Sequence, residues 1–299
     1  MLEDLLQYEN EEESSDVKQE RFSTVRSREL GEHLRRVRRQ TNFKTGQLLE
    51  MLEWSAGKLS KLEKGTRGTS PCDIAFLLGA LNVDLKTREQ IIALAEESDT
   101  GSFLRLHHCA LDTLPALLVD EDEAVDITSY DPVGIPEMVQ TEDYALALID
   151  DPDLVAARMR RQRPPKGFLG RRMTVFIHES ALAHVVGSTW TMRDQLLQLA
   201  LLAGSADTSI RIIPRSCGLH VALCRPATLL TLDPPLRPVV HVETDVATVF
   251  HDDPGIVEVY RNKMRQIDRL ALDHAQSREL LAQWSDRYDT PEPRPGGAL

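Results

Sequence analysis

Cysteine is scarce in this sequence: Cys72, Cys109, Cys217 and Cys224 are the only four, scattered through 299 residues. A disulfide-stapled secreted scaffold is therefore excluded, and the four are read as free thiols. Long apolar runs are absent too, with nothing near the roughly 18 consecutive residues that cross a bilayer as a helix. The chain opens Met1, Leu2, Glu3, Asp4, acidic where a signal peptide is basic. These absences lead us to expect a cytoplasmic protein with no membrane association. A glycine-rich phosphate loop, a Gly-x-Ser-x-Gly nucleophile elbow and internal repeats are also missing, which removes support for nucleotide binding and for serine hydrolysis.

Positive charge is in the minority, with 35 Lys plus Arg against 47 Asp plus Glu and a formal net charge of −12. Taken alone, that balance argues against nucleic acid, because phosphate binding draws on Lys and Arg. The distribution reverses the reading. From Glu3 to Glu20 there are eight acids (Glu3, Asp4, Glu9, Glu11, Glu12, Glu13, Asp16, Glu20) against Lys18 alone. That composition reads as a disordered acidic arm, either a solvating tail or an internal competitor for a basic face. From Arg26 to Arg67 eleven bases stand against five acids, Glu29, Glu32, Glu50, Glu53 and Glu63. An acidic protein therefore carries one basic module.

Within that module Leu30, Leu34 and Val37 recur at spacings of four and three, one stripe of a helix running to about Gln40. A short helix is expected from Thr45 to Leu52. Ser55 is an N-cap candidate for the next, in which Leu59 and Leu62 face inward until Gly65 ends it. Pro71 opens a fourth helix to Leu81, and Leu85 to Glu97 makes a fifth. Beyond Ser98 the pattern becomes mixed α/β, entered through the acidic stretch Asp120, Glu121, Asp122, Glu123. Strands are expected at Met173–Ile177, Ser209–Ile213, Ala227–Leu232, Val239–Val242 and Val246–Phe250, and helices at Met192–Ala203, Pro254–Leu272 and Ser277–Trp284. The expected fold is multidomain: an acidic arm (1–27), an all-α five-helix domain (28–97), a mixed α/β domain (98–288), and a Pro- and Gly-rich disordered tail (289–299).

The segment Thr45 to Gly65, TGQLLEMLEWSAGKLSKLEKG, resembles the helix-turn-helix of the xenobiotic-response-element family of regulators: a helix pair with a short turn, Ser60 after Leu59, and a closing Leu-Glu-Lys-Gly. In such motifs the second helix lies in the major groove of double-stranded DNA. The spacing supports this independently, since Leu59 and Leu62 turned inward leave Gly57, Lys61 and Lys64 on the opposite face. By the resemblance, Ala56, Gly57 and Lys61 hold the base-facing positions, with Ser55 and Ser60 on the same helix and Lys44, Thr45, Lys58 and Lys64 nearer the phosphates. Ala56 and Gly57 have no side-chain donors, so Lys61 is left as the principal base reader. The resemblance also implies an ion pair between Arg38 and Glu63. Three positions depart from the family pattern: Thr45 stands where a Gln is usual, Leu49 where a small Ala is usual, and Glu53 where Gly is usual.

The rest of the chain resembles actinobacterial regulators that join this module to an antitoxin-like domain of uncertain role. The likeness lies in Tyr130–Tyr144 (with Glu137 and Met138 in place of Gly-Leu), Val175–Leu182, Ile213–Leu223 and Val239–Thr244. It implies a homodimeric, sequence-specific transcription regulator, or alternatively an antitoxin-like protein that mainly sequesters a small neighbour-encoded partner. No cofactor, metal or catalytic residue is expected. Cys217, His220, Cys224 and His241 lack a standard zinc spacing and read as a loop thiol, a half-buried strand thiol and ordinary histidines. His107, His108 and Cys109, adjacent in sequence, would diverge on a helix. Cys217 or Ser216 with His220 and Glu243 lacks a nucleophile frame. The basic run Arg158, Arg160, Arg161, Arg163, Lys166, Arg171, Arg172 reads as a solvated helix end and linker rather than a second DNA contact.

Overall fold

The structure, a computed structural model, describes residues 23–41, 43–66, 70–107, 110–163 and 171–289. The acidic arm up to Glu20, Arg67, His108, Cys109, Lys166 and the tail from Pro291 lie outside the described residues.

Five helices come first: α1 (Val25–Gln40), α2 (Thr45–Met51), α3 (Ala56–Glu63), α4 (Pro71–Ala80) and α5 (Leu85–Glu96). Their ends follow local chemistry. Thr24, Ser55, Ser70 and Asp84 each accept a backbone N–H in the first turn of the helix they precede, satisfying donors that a helix start leaves unpaired. Leu34, Leu48, Leu59, Leu62, Ile74, Leu77, Leu78 and Ile91 close a single core among them. The turn between α2 and α3 places Glu53 at φ 55°, the left-handed region that glycine tolerates best; the absence of Gly at this position costs about 1–2 kcal/mol.

A mixed α/β region follows: β1 (Ser102–Leu106), α6 (Pro115–Glu123), β2 (Ala124–Asp131), α7 (Glu142–Ile149), α8 (Pro152–Arg161), β3 (Arg172–His178), α9 (Glu179–Ala183), α10 (Thr189–Leu202), β4 (Thr208–Ile213), β5 (Ala227–Leu232), β6 (Val239–Glu243), β7 (Ala247–His251), α11 (Pro254–Leu270) and α12 (His274–Arg287). The strands form one seven-stranded sheet in the order β1-β7-β6-β5-β2-β3-β4. Pairs β2–β3 and β3–β4 are parallel, and the other four are antiparallel. Alternating side chains divide the sheet into two faces. Val175, Ile177, Ile210 and Ile212 pack under α10 and α12, whereas Phe176 and Ile213 pack with Met264 and Ile267 of α11.

One expectation needs correction, and one central strand lay outside the sequence reading. The acidic stretch at Asp120–Glu123 is the end of α6, with Asp120 and Glu121 buried, and it leads into β2, a central strand that periodicity did not suggest. The basic run is not solvated throughout: Arg158 and Arg161 are buried on α8. Arg158 donates to Asp112, Gln140 and Glu137. Arg161 donates to Glu121 at 2.7 Å, to Glu137 at 2.8 Å and to Asp112.

Candidate nucleic-acid interface

The helix pair α2–α3 presents its polar face outward. Lys44, Thr45, Ser55, Ala56, Gly57, Ser60, Lys61 and Lys64 are exposed, while Leu59 and Leu62 are buried behind them. Ser55 caps α3, accepting from the Lys58 N–H at 3.1 Å, so the positive end of the helix lies beside the exposed Ala56 and Gly57. Lys58 differs from its neighbours. Its Nζ donates to Asp73 of α4 at 2.7 Å and lies 4.1 Å from the centre of the Trp54 ring, so its charge already has a partner within the domain. Thr45 accepts from Arg38 Nη1 at 3.3 Å, and Leu49 packs against the helical core.

What holds α3 at its angle is α1. Arg38 grips Glu63 with two arms, Nε to Oε1 at 2.5 Å and Nη2 to Oε2 at 3.0 Å, and Arg35 Nη2 donates to the Glu63 carbonyl at 2.9 Å. The helices touch backbone to backbone at Gly31, where a Cβ would lie 2.6 Å from the Glu63 carbonyl oxygen. Gly65, at φ 63°, ends α3 with its carbonyl accepting from the Ser27 hydroxyl at 2.8 Å. Removing either Arg38 or Glu63 leaves the other charge without compensation. Arg38→Ala and Glu63→Ala are each expected to cost about 2–3 kcal/mol, below a fully buried pair because part of Arg38 stays in water. Thermal denaturation curves that coincide with the parent's for both variants would remove the clamp as a support of α3.

The other side of α1 is built into the α/β region. Val25 is fully buried in the core formed by Phe103, Leu117, Ile127, Leu230 and Phe250, and its N–H donates to Asp252 Oδ2 at 2.8 Å. Arg28 Nε donates to Asp120 Oδ1 of α6 at 2.6 Å, with side chains only 2% and 0% exposed. Burial pushes the Asp120 carboxyl above its ordinary value, and the Arg28 charge opposes that shift. Arg105 on β1 bridges Glu29 of α1 and Glu97 at the end of α5. Helix α1 is therefore a strut, fixed at one side to the end of α3 and at the other to α6. The contact with α6 is not legible in the sequence, because Arg28 and Asp120 stand 92 residues apart.

The cysteines and histidines weighed for metal or catalysis sit in different settings. Cys217 is half buried in a turn, and Cys224 is exposed after the turn Val221–Leu223 rather than on a strand. His220 caps that turn, accepting from the Ala222 N–H at 3.2 Å. His241 is buried on β6 beside Phe250, and His107 follows β1 instead of sitting on a helix. Among the described residues no three His, Cys, Asp or Glu side chains come together as metal ligands, and none of the helices is long and apolar enough to cross a membrane.

Comparison with known proteins divides the chain in the same way. Residues 29–91 match a helix-turn-helix domain, and residues 114–283 match a domain of unknown function (DUF5753). No curated protein matches the chain. Among solved structures, TrmBL2, an archaeal chromatin protein described as showing a novel mode of DNA binding, aligns at 14% identity and a TM-score of 0.31. The alignment covers 64% of this chain and 63% of that one. The chain thus spans less than two thirds of that protein's length, and the likeness is too slight to bear on fold or function.

Proposed function

The chain belongs to the family defined by the domain of unknown function DUF5753, and on that premise, with a helix-turn-helix domain ahead of it, we propose that it is a sequence-specific DNA-binding transcription regulator. In this reading α3 enters the major groove, the α/β domain controls the reader and performs no catalysis, and two copies bind paired half-sites in the cytoplasm. The observation that carries the reading is the exposed face of α3. Lys61 and Lys64 lie on it with Ser60, Ala56 and Gly57, while the opposite face and the C-terminal end are locked to α1. A helix displayed rigidly and unobstructed on its polar side suits groove entry, because orientation is settled before binding.

Lys61 reads a base and Lys64 meets a phosphate. Lys61→Ala is then expected to lower affinity for the cognate site and to narrow its margin over random DNA by about 1–3 kcal/mol, the worth of one good base contact. Lys64→Ala weakens both alike and reduces the salt slope by about one charge. Fluorescence anisotropy on an operator selected from random sequence and on a scrambled duplex reads both effects. An unchanged preference in Lys61→Ala would show that another face of the helix reads the bases, and a parent protein that selects no sequence would overturn the function.

A further inference from the structure

On the face of the sheet that α6 covers, alternate positions are expected to be apolar, and Ile127, Leu230, Val239 and Phe250 are. One row breaks the rule. In the strand register Ser129 of β2 stands opposite Thr228 of β5, and Thr228 opposite His241 of β6. The Ser129 and Thr228 hydroxyls are 2.9 Å apart, and all three residues are buried. They form the polar floor of a cavity of about 50 Å³ whose lining also includes Glu121 of α6, Glu137 in the turn Glu137–Val139, and Arg161 of α8, with the less buried Asp131 and Glu243 nearer its mouth.

Two side chains on this lining have polar atoms without a partner among the described residues: Glu121 Oε1 and His241 Nε2, on residues only 2% and 6% exposed. A buried polar atom left unpaired costs about 1–3 kcal/mol, so two around one cavity call for an occupant. The lining carries four carboxylates, Glu121, Asp131, Glu137 and Glu243, against the single guanidinium of Arg161. Burial and Arg161 hold His241 neutral, its pKa pushed down to about 3, so it adds a lone pair and no positive charge. Desolvation, and after it the Glu137 carboxylate, push Glu243 up to about 8, so its ionised form is favoured only when a positive charge arrives beside it.

We propose that this cavity binds the ammonium head of a primary amine, whose donors go to Glu121 Oε1, His241 Nε2 and the hydroxyl floor of Ser129 and Thr228, with Glu243 supplying charge at the mouth. An ammonium supplies three donors and no acceptor, the complement of a wall rich in acceptors. The volume fits. One water needs about 10–15 Å³ of such space and a drug-sized ligand several hundred, so the cavity takes a head group with a short stem while the rest of the ligand leaves by the mouth. A metal ion fits less well, because no three ligating side chains converge and a guanidinium stands among the carboxylates.

The site also adjoins the strut. Glu121 faces the cavity, and the preceding residue on α6, Asp120, holds Arg28 of α1. An amine bound at Glu121 Oε1 shares the carboxylate whose Oε2 holds Arg161, weakens that bond and shifts α6, so bound amine alters DNA affinity; this second step rests on the function proposed above.

The test uses the full chain with methylammonium and n-butylammonium as probes, and tetramethylammonium at equal ionic strength as the control with charge but no N–H. Calorimetric titration is expected to show saturable binding of the two primary amines and none of the control. The imidazole nitrogen resonance of His241 should move with occupancy. Thr228→Val and Glu243→Gln, which remove one hydroxyl from the floor and one charge from the mouth, are each expected to weaken binding about tenfold, the worth of a charge-assisted hydrogen bond. Equal effects of tetramethylammonium and methylammonium, no saturable binding, or parental affinity in both variants would each overturn the site. Binding measured without DNA judges the cavity alone. If the amines bind and DNA affinity stays constant with amine concentration, the link through α6 falls and the site stands.

Discussion

Arg161→Met is expected to lower the melting temperature by roughly 6–20 °C, corresponding to a loss of about 3–5 kcal/mol. Methionine replaces the aliphatic stem of Arg161, so what is lost is chiefly the guanidinium. The loss comes from Asp112, Glu121 and Glu137, which together meet one guanidinium and would be left facing one another, with Arg158 still reaching Asp112 and Glu137 but not Glu121. Against a total stability of about 5–15 kcal/mol, a deficit of this size approaches unfolding at growth temperature. Arg161→Lys keeps the charge but not the planar fork, and recovers only part.

The deficit in Arg161→Met should depend on pH in a definite direction. Burial already holds the Glu121 carboxyl above 4.5, its ordinary value, and Arg161 is the charge that opposes this most. Without Arg161 that carboxyl rises further in the folded state but not in the unfolded chain. A carboxyl raised on folding favours the fold below its unfolded value and loses that contribution as pH rises through its folded value. The variant should therefore lie closest to the parent at and below about pH 4.5, and fall away from it as pH increases. Urea denaturation at several pH values measures this; a deficit independent of pH would assign the loss to packing instead.

The second large effect lies at the strut. Arg28→Met leaves Asp120 as a fully buried carboxylate without its partner, and Asp120→Leu leaves the Arg28 guanidinium likewise, each at a cost of about 3–5 kcal/mol. The double variant replaces the pair with apolar groups of similar size. It should recover most of the loss, because the remaining surfaces can pack and no charge is stranded. Calorimetry adds a readout that a purely local role would not move. With α1 still clamped to α3 but released from α6, the single transition expected of the parent should split into one for the helical domain and one for the α/β domain. Additive single-variant losses and an unsplit transition would show that Val25 and the Arg105 bridge couple the domains without Arg28.

Much of the helical domain could be read from residue order because its determinants are local. Ser55 and Pro71 announce helix starts from within the first turn they open, and Leu59 and Leu62 set which side of α3 turns inward. The strands at Ala227–Leu232 and Val239–Glu243 were equally legible, since apolar, β-rich runs mark buried strands wherever they pair. The exposed face of α3 follows from the same periodicity. Lys58 is the exception: its position on that helix was evident, but its engagement with Asp73 and Trp54 depends on α4 and on the turn.

The amino-acid order by itself thus determined where the helical module lies, which of its side chains face outward, and that a second, mixed α/β unit follows. Only the tertiary structure decided the meaning of the charges. Arg161 looks like any residue of a basic helix end, and Asp120 and Glu121 look like a solvated acidic stretch. Each is buried because a partner 24 to 92 residues away arrives with the opposite charge. The same holds for Ser129, Thr228 and His241, which strand pairing alone brings into one row. Apolar periodicity is a property of one segment, whereas the burial of a charge requires a partner from another, and no local pattern records which segments will meet.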